Sequence, residues 1–256
     1  MSMKKRLTLI LAVLSAAAFT AAAGDVDSLW TRAVEDYTDG RYESALEGFT
    51  SIEEQGFVSA DLFYNIGNCY YRLDHYLGKA ILYYERALKY DPSYEDAAVN
   101  LGIARQYTLD RIDSVPEFIL LTWIKALRDA VPSDGWAWTA AALLLLTAVM
   151  LLLFRFGRSV ALRKTAFALA VVSVVMVVIA VIFSLSLRSA AEAGDEVVVT
   201  VPVCNVKGSP GSSDQSLFIL HEGTKAALVD QLGDWYRIEL SDGRQGWLDS
   251  KTVEII

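Results

Sequence analysis

The sequence predicts a multi-domain chain of three structural classes: an all-α helical solenoid, a hairpin of two transmembrane helices and a small all-β barrel. Three observations carry this. Two uncharged apolar runs, 136–154 and 165–187, are separated only by residues 155–164. The stretch before them repeats itself at a spacing of 35 residues, with small and aromatic residues in helical positions. The stretch after them alternates apolar and polar residues between glycine-containing turns, as strands of period two do.

Charge and hydrophobicity are unevenly spread. The 256 residues are 54% hydrophobic with net charge −8, an apolar share that membrane segments explain better than an unusually large core. Residues 24–132 hold 19 acids and 10 bases, and residues 188–256 hold 11 and 6, so both polar portions are acidic. The remaining bases are Lys4, Lys5 and Arg6 at the start and Arg155, Arg158, Arg163 and Lys164 between the runs. Nucleic acid is not expected as a partner, because neutralising phosphates needs clustered Lys and Arg on the soluble surface. Cys69 and Cys204 lie one in each polar portion without zinc-ligand spacing, and read as small buried apolar residues.

Residues 1–23 read as a signal peptide. Lys4 to Arg6 form its charged start, Leu7 to Phe19 its apolar stretch, and Ala21-Ala22-Ala23 a small-residue cleavage site before Gly24. The first apolar run, Trp136 to Phe154, would reach about 28 Å as a helix, and the second, Thr165 to Leu187, about 34 Å. Val and Ile in the second would favour strands in water, but in lipid only a helix satisfies the backbone. Trp136 and Trp138 sit where an interfacial aromatic belt would. The four bases of loop 155–164 place it on the cytoplasmic side. Residues 24–135 and 188–256 are then both expected on the periplasmic side of the inner membrane, multi-pass, in agreement with the signal peptide.

In YNIGNCYYRLDHYLGKAILYYERALKYDP, Tyr64 to Pro92, Gly67 and Tyr70 fit a first helix, and Ala80, Tyr84, Ala87 and Pro92 a second helix and its terminator. Gly40, Tyr42, Ala45 and Phe49 recur upstream, and Asn100-Leu101-Gly102 repeats Asn65-Ile66-Gly67. The pattern resembles the tetratricopeptide repeat, with one extra residue in the turn 74–78. Two repeats and a solvating helix are expected over residues 24–112, stacked as a short solenoid. Small residues allow close helix approach and aromatic ones fill the gaps, so these positions read as core. The resemblance implies a partner-binding concave groove lined by Trp30, Tyr37, Tyr64, Asn68, Tyr71, Arg72 and Tyr107. In it Asn68 would hold an extended backbone through paired hydrogen bonds, and Arg72 would meet a carboxylate. A merely solvated concave face is the alternative.

Residues 113–135 contain PEFILLTWIKALRDAVP, a helix bounded by Pro116 and Pro132. Phe118, Leu121, Ile124 and Leu127 recur at three-residue steps. Such a helix would lie on the bilayer or pack against the solenoid; near-neutral charge weakens a membrane-surface role, so a structural juxtamembrane connector is expected.

A short polar linker, Arg188 to Gly194, leads into residues 194–256. Strands are expected in EVVVTVPVCNV, SLFIL, KAALVDQL, DWYRIEL and QGWLDS, ending in TVEII. In DWYRIEL, Tyr236, Ile238 and Leu240 face one way and Trp235, Arg237 and Glu239 the other. The Gly-Asp-Trp-Tyr and Asp-Gly-x-x-Gly-Trp pieces resemble bacterial SH3-like domains. That implies a binding module for peptides or wall fragments, with Phe218, Trp235 and Trp247 as its candidate surface and core filling as the alternative for each.

No catalytic constellation is found. His75 and His221 lie in different portions beside turns and read as solvated. Cys204 falls within a core strand, which argues against a dyad with His221. There is no phosphate loop and no metal-ligand cluster, so a non-enzyme without metal or cofactor is expected. The order of the parts, with LGKAILYYERAL and LHEGTKAALVDQLGDWYRIEL, is similar to the BatE family of aerotolerance operons. That resemblance covers nearly the whole chain. It implies membrane proteins with von Willebrand type A domains, another repeat protein and, indirectly, a MoxR-type ATPase as partners, and implies no reaction. The expected function is a membrane-anchored periplasmic scaffold in a Bat-type stress-response complex. The alternative is a membrane protein that binds peptidoglycan through its SH3-like domain.

Overall fold

The computed structural model describes residues 26–112, 118–211 and 215–256. The expected signal peptide lies outside them. The N-terminal portion is helical: α1 over 26–38, α2 (Tyr42–Glu54), α3 (Ala60–Arg72), α4 (Leu77–Tyr90) and α5 (Glu95–Arg105). Small residues set the spacing, as the sequence pattern requires. A Cβ on Gly67 would lie 2.8 Å from the ring of Tyr84, and one on Gly48 2.9 Å from Cβ of Ala33. Ala45, Phe49, Ile66, Ala80, Tyr84 and Ala87 are all buried in one core. Ser59 caps α3 by accepting the Leu62 N–H, satisfying one of the donors a helix start leaves open. The extra residue in the next turn is absorbed by Asp74 and His75, both left-handed at φ 46° and 62°.

Helix α6 (Ile119–Asp129) leads into α7 (Ser133–Phe156) and α8 (Val160–Glu192). The last two, at 24 and 33 residues, are long and apolar enough to cross a membrane. They pack antiparallel through Ala140, Ala166, Ala170 and Ala180, all buried. Small residues allow the close backbone approach that helix association in lipid depends on. At mid-length the Thr147 hydroxyl donates to Ser173 Oγ at 2.9 Å, and Ser173 donates to the Leu143 carbonyl at 3.0 Å. Ala137 and Ala141 face outward instead. The polar linker expected from Arg188 is helical as far as Glu192. Nothing before Gly194 breaks the helix, and Arg188 pairs with Glu192 one turn on.

The C-terminal strands are β1 (Glu196–Val199), β2 (Val203–Lys207), β3 (Ser216–His221), β4 (Lys225–Leu232), β5 (Trp235–Glu239), β6 (Gln245–Asp249) and β7 (Val253–Ile255). Their order is β3-β2-β6-β5-β4-β1-β7, with antiparallel pairing throughout. Among the described residues no ladder joins β3 to β7, so the architecture is an antiparallel sheet and not a closed barrel. The run EVVVTVPVCNV makes two strands, because Pro202 lacks the N–H a ladder needs. Ile238 and Leu240 enter the sheet's core, with Tyr236 packed against it.

The sheet is docked on the helical repeat. Val197 and Val199 belong to the sheet's core, whereas Val198 between them belongs to the helical core together with Ile256. Both faces of β1 are therefore buried. Gly223, at φ 83°, is pressed so close to α4 that a Cβ would lie 2.5 Å from Cδ1 of Ile81. The Gly78 N–H donates to Glu222 Oε2 at 3.1 Å. Arg86 donates to the Ile255 carbonyl at 2.7 Å, Lys89 to that of Ile256 at 2.8 Å, and Lys79 pairs with Glu254. Buried Glu85 of α4 receives Arg105 from α5 and, at 3.1 Å, Lys225 from β4. Beyond α5, Asp110 accepts the His221 backbone N–H and the Thr224 hydroxyl, each at 2.6 Å, and its other oxygen stands 2.8 Å from His221 Nδ1. His221 is thus an interface residue and not the solvated turn histidine expected.

Two outcomes follow from this packing. In full-length protein, Gly67→Ala forces a methyl into a ring that cannot swing away, and costs about 1–3 kcal/mol of stability. Gly102→Ala, whose Cβ would meet nothing within 4 Å, is neutral or stabilising by up to about 1 kcal/mol. Thermal unfolding in detergent separates the two. Burial alone would raise the Asp110 carboxyl, but the hydrogen bonds from Thr224 and His221 outweigh it and hold the group below its ordinary 3.8. A carboxyl depressed on folding stabilises fully above its unfolded value and loses that contribution as pH falls through the folded one. Asp110→Asn should therefore melt below wild type at neutral pH, with the gap closing as pH drops beneath 3.8. A gap of constant size would contradict the assignment.

Candidate partner-binding groove

With one side of the repeat taken by the sheet, the side built from α1, α3 and α5 is left open. Tyr37 of α1, Asn68, Tyr71 and Arg72 of α3, Tyr84 of α4, and Asn100 and Ile103 of α5 line a pocket of about 200 Å³ there. Asn68 is the buried polar centre. Its Oδ1 accepts the Tyr84 hydroxyl at 2.8 Å and the Asn100 amide at 2.9 Å. Burial pushes the Tyr84 hydroxyl far up, so it stays a neutral donor. Asn100 also reaches the Tyr64 hydroxyl at 3.3 Å.

This network changes how an extended backbone would be read. The carbonyl of Asn68 is already occupied, so Asn68 offers a ligand only N–H donors. Asn100 spends its amide on Asn68 and Tyr64, which leaves its own carbonyl as the acceptor. The donor and acceptor expected of Asn68 alone are divided between two helices. At the rim, Arg72 donates to the Tyr42 hydroxyl and lies 4.6 Å from the centre of that ring. The Tyr42 ring sits 5.3 Å from that of Tyr37. Burial raises the Tyr37 hydroxyl, against the pull of Arg72. The rim is a cation stacked on the Tyr42 ring, suited to a carbonyl-rich or weakly acidic segment.

Of the seven groove residues read from the sequence, Tyr37, Asn68, Tyr71 and Arg72 meet in this pocket. Tyr64 stands behind it against Tyr84 and Tyr94, with ring centres 6.1 and 5.1 Å away. Tyr107 is exposed at the edge; burial first, and then the neighbouring Tyr107, raise the Tyr71 hydroxyl. Trp30 is not in the pocket; it packs edge-on against Phe49 at 5.3 Å, in the seam between α1 and α2. Sequence reasoning missed Tyr84, Asn100 and Ile103. The 35-residue spacing already related Asn100 to Asn65, and extending it from Asn68 reaches Ile103.

The three sheet aromatics divide. Trp235 and Trp247 lie on the outward face, where Arg237 is the cross-strand neighbour of Trp247 and Lys207 Nζ sits 5.2 Å over the Trp235 ring. Phe218 is on the other side of the sheet, opposite Val206 and packed against the core, with Arg244 4.9 Å over its ring. Both thiols are buried. Burial pushes Cys69 up to about 12 and Cys204 upward as well, so neither is poised as a nucleophile. Among the described residues no group of three His, Cys, Asp or Glu side chains is placed to hold a metal ion.

Tyr84→Phe removes one of the two donors to Asn68, and should lower stability by about 0.5–1.5 kcal/mol while leaving the ring packing in place. A denaturant midpoint unchanged from wild type would show that the network carries no net stability.

The tetratricopeptide-repeat family model matches residues 60–94, which take in α3, α4 and the turn leading to α5. No curated protein matches the chain. The matched stretch holds the central helix of the pocket and the helix on which the sheet is docked, and the chain therefore carries a tetratricopeptide repeat.

Proposed function

We propose that this protein is a membrane-anchored scaffold whose repeat groove holds an extended segment of a partner protein. The observation that carries the reading is the pairing of an open pocket on α1, α3 and α5 with an opposite side already occupied by the sheet. Tetratricopeptide repeats generally mediate protein–protein contacts, and here, among the described residues, the side away from the sheet is open for one. Asn68 and Asn100 supply a donor and an acceptor for a peptide backbone, and Arg72 a single cation. The acidic surroundings disfavour a strongly acidic ligand. Helices α7 and α8 cross the inner membrane, with loop 155–164 on the cytoplasmic side and both soluble portions in the periplasm; the four bases of that loop support the orientation. The strands form an SH3-like module, a reading supported by a single core to which every strand contributes. Likeness to the BatE family supports a role for the scaffold in an aerotolerance complex. Its partners there are membrane proteins with von Willebrand type A domains and, through them, a MoxR-type ATPase. The protein itself catalyses no reaction.

A second reading has its own observation. Trp235 and Trp247, flanked by Lys207 and Arg237 on the outward sheet face, suit stacking on sugars beside peptide carboxylates, as in a peptidoglycan fragment. Crosslinked purification of the full-length protein decides between the two. The variant Tyr71→Ala/Arg72→Glu should lose the captured membrane partners while keeping its helical circular-dichroism spectrum and a cooperative unfolding transition. If it keeps them while Trp235→Ala abolishes co-sedimentation with sacculi, the groove reading fails and the second stands.

A further inference from the structure

Helix α6 buries no residue at all. Steps of 100° along its length divide it into two faces. Ile119, Leu120, Trp123, Ile124 and Leu127 form one, and Thr122, Lys125 and Asp129 the other. The five apolar side chains are 45–68% exposed, far more than a connector packed on its own protein would leave. The C-terminal end of the helix is fixed in place. The Trp136 ring N–H donates to the Arg128 carbonyl at 2.8 Å, Arg128 reaches Ser186 of α8 at 3.4 Å, and the Ser133 hydroxyl donates to the Ser184 carbonyl at 3.0 Å. Trp136 is the first residue of one uncharged run, and Ser186 stands next to Leu187, the last residue of the other. Helix α6 therefore ends level with the boundary of the hydrocarbon.

We propose that α6 lies in the plane of the bilayer interface at that end of the hairpin. Its Ile119–Leu127 face sinks among the lipid chains, and its Thr122 face points to water. The inference rests on the reading that α7 and α8 cross a membrane. Near-neutral charge, which argues against recruitment of a free helix to anionic lipid, does not apply to a helix joined to a span by three residues. It needs no attraction to reach the surface, only an apolar face to stay there. Arg128 and Asp129 pair with one another at 2.7 Å, so the contact should not depend on anionic lipid. Trp123 in the middle of the apolar face suits the headgroup level.

The test places spin labels on Cys introduced by Ile124→Cys, Thr122→Cys and, as a mid-span reference, Leu145→Cys. It uses full-length protein in phosphatidylcholine nanodiscs; Cys69 and Cys204 are buried. The ratio of accessibility to oxygen over a water-soluble nickel complex should be several-fold higher at 124 than at 122, and lower than that at 145. Nickel access at both 122 and 124, with 145 in lipid, overturns the inference alone. A label at 124 shielded from both reagents also overturns it, and indicates that a protein surface or a second copy covers the face. Nickel access at 145 would bring down the membrane reading itself, and the inference with it.

Discussion

A buried carboxylate in the middle of α4 holds the soluble part of this protein together. Glu85 cannot be left alone, because an uncompensated buried charge costs several kcal/mol. Its two partners come from different elements: Arg105 from the following helix, and Lys225 from a strand 140 residues away. Lys225 in turn reaches Glu196 at 2.8 Å. Burial alone would lower the Lys225 ammonium's pKa, but these two carboxylates outweigh that and raise it. Satisfying Glu85 therefore holds α4, α5, β1 and β4 in one arrangement, and the apolar contacts of Val198, Ile256 and Ile81 close around it.

That arrangement decides what each surface can do. The α4 side of the repeat is spent on the sheet, so the pocket of Asn68 and Asn100 is the side left for a partner. It also removes the freedom that two separately tethered modules would have. Helix α8 would reach about 50 Å as a straight helix, well beyond a hydrocarbon layer of about 30 Å. Just past its end, the Ala193 carbonyl accepts from Lys89 of α4. Groove, sheet and the two long apolar helices are thus connected by helix and hydrogen bonds and not by a slack linker. The position of the pocket relative to the apolar helices is a property of the fold.

Several features were legible in the residues because they are local. The small-residue and aromatic pattern at 35-residue spacing marked the paired helices, since only small side chains permit their close approach. The length of the two uncharged runs marked α7 and α8, and period-two alternation marked which side of β5 faces the core. Four of the pocket residues followed from the same helical register. Trp30 and Phe218 did not, because half-burial of an aromatic depends on what packs against it: Phe49 in one case and Val206 with Arg244 in the other. The linker expected after Leu187 became helix because propensity there is permissive and the neighbouring span had already nucleated it.

The sequence by itself determined the kinds of element and, in the repeat, the small and aromatic residues that pair its helices, since these depend on residues within a few positions of one another. Tertiary structure alone decided that the sheet sits on α4, that Asn68 shares its carbonyl between Tyr84 and Asn100, and that Asp110 gathers His221 and Thr224. Those partners lie 16 to 114 residues apart. An isolated Glu, Lys, Asp or His has the same composition and spacing whether it is solvated or buried against a partner. Its role appears only when folding removes the water and brings the opposite charge or donor within reach.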